Sequence, residues 1–225
     1  MSTAKAQLPS WTFAEVLSAF ADFLIVSIHT ILYEREIYPH ETFMLARKYN
    51  FPVRQSRHPQ VCDWVRNAIG ACMDQMRRGD VSKVSVVILS SIDIPLERFV
   101  FDVTSFPKVA LREQHNEMKN VTLNMTDMEE QYRTCIMKLS HTSSILGKLP
   151  PECTFTITIE LNDDAKAPVG HDSPWVPADS VTQTPGVPLR SGAPRVRPLR
   201  NALMGPLSFD IWVEESKAKD KVVVH

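Results

Sequence analysis

Few residues in this sequence have the types and spacing that catalysis or metal binding needs. His58 and Cys62 lie one helical turn apart, which suits a shared metal ion, but no second pair of ligands completes the site. Cys135 lies near His141, yet a nucleophile and its base normally meet through the fold. Gly147 and the lysine after it lack the earlier glycine and the following hydroxyl of a phosphate-binding loop. We therefore predict no catalytic residue, no metal site and no cofactor.

The composition is that of an ordinary globular protein. The chain has 225 residues, enough for one large domain, and 44% of them are hydrophobic and 23% charged. Its formal net charge of -1 gives no overall field that would attract nucleic acid or a membrane surface. We therefore expect no membrane partner and no direct contact with nucleic acid. Because no catalytic motif is present, an enzyme is a weaker hypothesis than a binding protein.

Cysteine usage and the N-terminus indicate an intracellular protein. The four cysteines form no C-x-x-C pair, and three occupy positions that would suit an apolar side chain, which favours reduced core thiols. Residues 1–10 show no basic start followed by an apolar run, so we predict a flexible tail there rather than a signal peptide. The apolar stretch 16–32 is interrupted by polar residues, which argues against a membrane span.

A cluster of arginines precedes the last predicted strand and is interleaved with prolines. It could contact phosphates, contact an acidic partner, or only keep a loop solvated. The last reading is the default, because runs of charge are usually solvated. The cluster consists of Arg190, Arg195, Arg197 and Arg200.

Apolar periodicity predicts three helices. The first opens with a capping box at residues 12–15 and is apolar nearly all round, as a core helix is. The second begins at His58-Pro59, carries apolar residues at spacings of three and four, and ends at Gly79. The third covers the apolar stripe from Met125 to Leu139. Residues 49–53 predict a short extended edge segment.

The remaining patterns predict strands. Residues 83–89 and 96–103 form an antiparallel hairpin, and residues 153–161 and 207–213 alternate as half-buried strands. These elements predict an α+β fold in which three helices pack on one face of a mostly antiparallel sheet. We expect one domain over 11–215 and a charged tail over 216–225.

The stretch between the last two strands is the unusual part of the chain. Residues 162–206 hold eight of the 16 prolines, and proline cannot donate to the interior of a sheet. A connection of this length is uncommon unless it is functional or disordered. We interpret it as a mobile clasp held between two strands, and a floppy surface insertion is the alternative.

Several strings, taken together and in order, resemble the HORMA-domain family. The resemblance runs from about residue 13 to residue 215. It is carried by ILYEREIYP at 31–39, KYNFPV at 48–53, His58-Pro59, KVSVVIL at 83–89, FVFDVT at 99–104, PECTFTI at 151–157, PWVPAD at 174–179 and WVEE at 212–215.

The resemblance implies a C-terminal "safety belt", here residues 162–213, which wraps a partner peptide that adds a strand to the sheet. It also implies that Trp64 and Trp175 grip prolines of that peptide, and it places Tyr49 and Pro52 at the same site. For the two tryptophans, core packing is the alternative, and it is stronger for Trp64 on its helical stripe than for Trp175.

The resemblance implies two further surfaces. Val196, Leu199, Asp210 and Trp212 match a surface that meets the C-terminal domain of a scaffold translesion polymerase. The chain departs from the family there, because an aspartate replaces a neutral amide at 210 and Arg197 replaces an apolar residue, which favours a partner of compensating charge. Arg133 matches a position through which HORMA domains form homodimers or heterodimers, and plain solvation is its alternative.

Within the family, the strings favour the non-catalytic subunits of DNA polymerase zeta. The resemblance then implies an adaptor that clasps a proline-containing peptide of the catalytic subunit and bridges it to the scaffold polymerase, in the nucleus or also the cytosol. YPHETF at 38–43 is similar to mitotic checkpoint members of the family. A checkpoint or cell-cycle adaptor that binds another peptide is therefore the alternative.

Overall fold

The computed structural model of the protein describes residues 11–118, 124–165, 194–205 and 207–222, and for residues 221 and 222 it describes the backbone only. The predicted tail at 1–10 lies outside the described residues. So do Arg190, Trp175 and most of the predicted belt.

The three predicted helices are confirmed, and capping residues mark the start or the end of each. Thr12 and Glu15 form the capping box that opens the first helix, and Asn124 caps the third by accepting a hydrogen bond from the backbone N–H of Thr126. Gly79 ends the second helix with a φ of 75°, a left-handed conformation that glycine adopts without strain. The helices are α1 (Phe13–Glu34), α2 (Pro59–Arg78), α3 (Met125–Leu139), and two short ones, α4 (Thr142–Ile145) and α5 (Ala218–Val222).

The strands form one large sheet and one separate hairpin. The hairpin consists of β1 (Phe43–Lys48) and β2 (Phe51–Ser56). The sheet strands are β3 (Val81–Leu89), β4 (Pro95–Asp102), β5 (Thr154–Leu161), β6 (Arg195–Met204) and β7 (Leu207–Glu215). They pair antiparallel in the order β5-β3-β4-β7-β6, which confirms the predicted α+β architecture.

The hairpin β1–β2 corrects one prediction. Between α1 and α2, only residues 49–53 were expected to be extended, but the two strands of the hairpin reach from Phe43 to Ser56. Tyr49 and Asn50 form the turn between them, with φ values of 51° and 53°, the backbone that a two-residue hairpin turn requires. The first strand was missed because residues 43–48 do not alternate apolar and polar side chains.

Strand β6 corrects a second prediction, because it lies inside the proline-rich stretch that was expected to be irregular. Pro198 is tolerated because β6 is an edge strand and its register with β7 shifts between Pro198 and Arg200. The arginines there are not merely solvated. Arg195 pairs with Asp220 at 3.6 Å, Arg197 with Glu215 at 3.0 Å, and Arg200 donates to Gln131 at 3.2 Å.

The core lies between the helices and one face of the sheet. Phe20 and Phe23 of α1 pack against Phe209 of β7, and the ring of Phe23 stacks on Tyr132 of α3 at 4.5 Å. By length and composition α1 could cross a membrane, but most of its apolar stretch is buried within this fold, as in a core helix. All four cysteines are free, and burial raises the pKa of the Cys72 and Cys135 thiols to about 12.

A buried network of charges joins the end of α1 to the C-terminal helix. Arg35, the C-cap of α1, donates two hydrogen bonds to Glu97 of β4, at 2.8 and 2.7 Å, and a third to the carbonyl oxygen of Gly147 at 2.7 Å. Lys219 of α5 also donates to Glu97, and to Glu215 of β7 at 2.9 Å. Lys219, which lies beyond the predicted domain boundary at residue 215, is thus held against β4 and β7 by buried ion pairs.

We expect Glu215 to make the fold sensitive to acid. Burial alone would raise the pKa of this carboxyl, but hydrogen bonds from Lys219 and Arg197 outweigh burial and hold the pKa below its ordinary value. A carboxylate whose pKa falls on folding stabilises the fold above its ordinary pKa, and that stabilisation is lost as the pH falls through the folded-state pKa. Between about pH 6 and about pH 3, chemical denaturation should show a smaller loss of stability in Glu215→Gln than in the wild type.

A matched control for this measurement is Asp74→Asn, which alters an exposed acid on α2. This variant should keep the wild-type dependence on pH. An acid-induced loss in Glu215→Gln as large as in the wild type would contradict the prediction.

Candidate peptide-binding site

Among the described residues, strand β5 has one edge that no other strand covers. It pairs with β3 along one side, from the contact of Val81 with Leu161 to that of Leu89 with Thr154. No strand of the described residues pairs with its other side. Alternate backbone N–H and C=O groups of an antiparallel edge strand point outward without a partner, so this edge can accept another strand.

The free edge lies on β5 because of where the C-terminal hairpin packs. Strands β6 and β7 form that hairpin, and β7 pairs with β4 from Glu97–Glu215 to Asp102–Asp210. The hairpin thus covers the edge of β4 that faces away from β3. At the opposite end of the sheet, β5 is the last of the described strands.

Three aromatic side chains from separate elements meet at the start of this edge. Trp64 of α2 contacts Phe155 of β5 edge-to-face, with ring centroids 5.1 Å apart. Tyr38, which follows α1, contacts the same ring at 6.4 Å and 88°. Burial raises the pKa of the Tyr38 hydroxyl. Trp64 remains 45% exposed, so the cluster presents an aromatic surface beside the edge of β5 that no described strand covers.

The side chains of β5 that face the helices are incompletely covered. Phe155, Ile157 and Ile159 are only partly buried, whereas Val84 and Val86 on the neighbouring strand are almost fully buried. An added strand with apolar residues on this face would cover the exposed parts and gain hydrophobic stabilisation.

The structure separates the residues that were predicted to contact the peptide. Trp64 is at the β5 edge, but Tyr49 is buried at the turn of the β1–β2 hairpin and packs against Tyr132 at 5.4 Å. Burial raises the pKa of Tyr49, and its hydroxyl has no hydrogen-bond partner among the described residues. Pro52 is exposed on β2, opposite Arg47. Neither residue is brought to the aromatic cluster, and Trp175 is outside the described residues.

The residues predicted for the second surface do come together. Val196 and Leu199 of β6 line one open groove with Asp210 and Trp212 of β7, and the groove has a volume of about 470 Å³. Val196 is exposed, and the indole N–H of Trp212 donates to Glu214 at 2.8 Å. The groove lies on the C-terminal hairpin, apart from the β5 edge.

Arg133 lies on α3 and pairs with Glu130, one turn earlier on the same helix. Its side chain is partly exposed, so it is accessible to a second protein. The predicted role in dimer formation stays a prediction.

Sequence reasoning missed Phe155 and Tyr38 as site residues. Phe155 was recognised as one apolar position of an alternating strand, which gives no reason to single it out. The available signal was the position of this strand, since an edge strand exposes what a central strand buries. Tyr38 precedes a proline that ends a helical pattern, and nothing local indicates its contact with Phe155.

The described ranges contain no cluster of three or more His, Cys, Asp or Glu side chains that could hold a metal ion. His29 of α1 is buried, and its Nδ1 accepts a hydrogen bond from the backbone N–H of Ser56 at 3.5 Å. Burial, with the nearby Arg66 charge, lowers the pKa of His29 to about 4, so this side chain is a neutral part of the core near neutral pH.

Comparison with known proteins shows extensive similarity. A model of the HORMA domain matches residues 17–186. A DNA polymerase zeta processivity subunit of Schizosaccharomyces pombe is 31% identical over 220 residues, which cover 93% of this chain and 97% of the yeast protein. A mitotic spindle assembly checkpoint protein MAD2B of Gallus gallus is 33% identical over 211 residues, 92% of each chain.

Solved structures agree on the fold. A chain in the crystal structure of the mitotic checkpoint complex superposes with a TM-score of 0.67 at 22% identity, over 89% of this chain and 98% of that one. C. elegans HTP-2 bound to a HIM-3 closure motif superposes with a TM-score of 0.68 at 12% identity, over 95% and 99%. At these identities the superpositions establish shared architecture.

Proposed function

The chain belongs to the HORMA domain family, as the sequence resemblance predicted, and from this we propose that it is a non-catalytic adaptor subunit of DNA polymerase zeta. It clasps an extended, proline-containing segment of the catalytic subunit against β5. The observation that carries this proposal is the edge of β5, which no strand of the described residues pairs with, beside the exposed aromatic surface of Trp64. A relative named as a polymerase zeta processivity subunit, similar over nearly its whole length, supports the choice of partner.

Strand addition explains how such a site would bind. The backbone of the segment would bond to the outward N–H and C=O groups of β5, and these bonds give affinity that does not depend on sequence. Its apolar side chains would cover Phe155 and Ile157, and a proline ring would lie on Trp64. Proline suits this end of the segment, because its fixed φ lowers the entropy lost when the segment becomes ordered.

The groove on the C-terminal hairpin supports the second half of the proposal. An adaptor needs two binding surfaces that can be occupied together, and the groove and the β5 edge lie at opposite ends of the sheet. We assign the groove to the C-terminal domain of the scaffold polymerase. A nuclear location and pairing with another HORMA domain through Arg133 belong to the same proposal.

A checkpoint or cell-cycle adaptor is the second candidate. It is favoured by the YPHETF string at 38–43, by relatives named as checkpoint protein MAD2B, and by structural likeness to a chain of the mitotic checkpoint complex. The same edge would then bind a different peptide, so competition between peptides separates the two candidates.

Calorimetric titration with a proline-containing peptide of the polymerase zeta catalytic subunit tests the proposal. We expect a dissociation constant of about 1 µM or lower and a negative heat-capacity change, because apolar surface is buried on binding. A peptide in which the prolines are replaced by alanine should bind more weakly. A checkpoint-type peptide should fail to displace the polymerase peptide at equal concentration.

Two results would contradict the proposal in different ways. If neither peptide released or absorbed heat, the adaptor function would be wrong for this edge. If the checkpoint-type peptide bound and displaced the polymerase peptide, the second candidate would replace the first.

A further inference from the structure

The sheet face that points away from the helices carries side chains in rows across the strands. Strand alternation places Phe99, Phe101 and Phe209 in the core, so their neighbours along β4 and β7 point to the opposite face. At the corner formed by β4, β7 and β6, register gives three rows: Asp102–Asp210–Asn201, Val100–Trp212–Pro198 and Arg98–Glu214–Val196.

The middle of this corner is apolar and open. Trp212 lies between Val100 and Pro198 in its row, and exposed Val196 lies in the next row. These β6 and β7 side chains line the groove of about 470 Å³ described above. A large, half-buried tryptophan in a concave surface is the kind of residue that carries binding energy at protein interfaces.

Two carboxylates lie together at one end of the groove: Asp210 lines it, and Asp102 is the register partner of Asp210 on β4. Asp102 of β4 and Asp210 of β7 are directly opposite each other, an arrangement of like charges that destabilises a sheet. Asp102 accepts a hydrogen bond from the backbone N–H of Thr104, and Asp210 accepts one from Asn201 at 2.7 Å. Within the described residues, neither carboxylate forms an ion pair.

The nearby cations are directed elsewhere. Lys83 shares a register position with Asp102 but donates to Glu160 at 2.7 Å. Arg98 extends across β3 to Glu160 and Ser85, and on its other side reaches Glu214 at 3.7 Å. Arg200 also lines the groove, but it occupies the register position of buried Ile211 and donates to Gln131 of α3.

We propose that this groove docks a basic segment of a partner protein, which lays apolar side chains on Trp212 and places an arginine or lysine between Asp102 and Asp210. The cation would remove the repulsion between the two carboxylates, which the free protein tolerates. An acidic segment would add to that repulsion and would be excluded. The inference rests on the proposed adaptor function for its second surface, and it specifies the charge of the partner there.

Selection from a displayed library of random peptides tests the inference without knowledge of the partner. The full chain is the target, and Trp212→Ala protein is the soluble competitor, so that only peptides which need Trp212 are enriched. We expect these peptides to carry an excess of arginine and lysine over the starting library. When Asp210→Lys protein is the target, the selection should instead enrich peptides that carry aspartate and glutamate.

Affinity measurements on one enriched peptide identify the residues responsible. Asp210→Asn should weaken binding about fivefold, and Asp102→Asn/Asp210→Asn should weaken it further, because each lost carboxylate removes a partly screened ion pair. Asp74→Asn on α2 should leave binding unchanged. Added salt should weaken binding to the wild type more than to the double variant.

Three outcomes would overturn the inference. They are no enrichment of peptides that need Trp212, enrichment of such peptides without an excess of arginine and lysine, and the same excess when the double variant is the target of the selection. The polymerase peptide at β5 provides the separate test of the adaptor function. Its binding to Asp102→Asn/Asp210→Asn should match its binding to the wild type. A failure at the groove and a failure at β5 are thus distinguishable.

Discussion

Replacing Arg35 with methionine is expected to lower the free energy of unfolding by about 3–5 kcal/mol. The Arg35 guanidinium binds Glu97 through two parallel hydrogen bonds, and both side chains are almost completely buried. Methionine would fill similar space but would leave the buried Glu97 with only Lys219 as a partner. The cost arises because Glu97 would then share Lys219 with Glu215, so that its buried charge is only partly compensated.

Urea denaturation of the variant and the wild type measures this difference. Arg66→Met on α2 is the matched control, because Arg66 also pairs with an aspartate, Asp63 at 2.8 Å, but in an exposed position. An exposed pair contributes about 0–1 kcal/mol, so the control should remain close to the wild type. Arg35→Met/Glu97→Met should recover part of the loss, since an apolar pair replaces a buried ion pair at small cost. Equal losses in Arg35→Met and Arg66→Met would show that burial of the pair does not matter.

This network also shows what sequence patterns leave undetermined. Its four main members, Arg35, Glu97, Glu215 and Lys219, read as ordinary charged residues near the ends of elements. Arg35 and Glu97 are 62 positions apart, and Glu97 and Lys219 are 122 apart. No periodicity spans such distances. Only the packing of β4 between β3 and β7 brings these charges together.

Periodic patterns did determine most of the fold. The stripe on α2 and the capping box of α1 predicted those helices because each signal is local. The hairpin β3–β4 followed from two β-branched and aromatic runs with a turn between them. Strand β6 was missed because proline argues against a strand unless the strand is known to be at an edge, and edge position is a property of the whole sheet.

The candidate site was predictable only in part, because its residues are brought together by the packing of the whole fold. The resemblance selected Trp64, and the structure places it at the β5 edge with Phe155. It also selected Tyr49, whose burial against Tyr132 follows from how the β1–β2 hairpin packs on α3 and α1. A string shared with a family shows that its residues matter to the fold or the site, and only coordinates tell which.

Replacing Trp64 with alanine should weaken binding of the polymerase peptide by about 2 kcal/mol, roughly 30-fold in dissociation constant. Trp64 has an exposed aromatic surface beside the edge of β5 that no described strand covers, so it can contact a bound segment without any change in the fold. Because Trp64 is already 45% exposed, removal of its side chain should disturb folding much less than it disturbs binding. A large change in affinity with a small change in stability is the result expected of a contact residue.

Calorimetry and thermal denaturation of the same preparations separate binding from folding. Ile92→Ala is the matched control, because Ile92 is an apolar side chain that is 66% exposed in the β3–β4 turn, and it should leave the dissociation constant unchanged. If Trp64→Ala bound the peptide within twofold of the wild type, Trp64 would serve only to pack Phe155. If it lost stability in proportion to affinity, Trp64 would act by holding β5 in place. Only weaker binding by a protein of nearly wild-type stability supports direct contact, because the aromatic ring then contributes to the complex and little to the free fold.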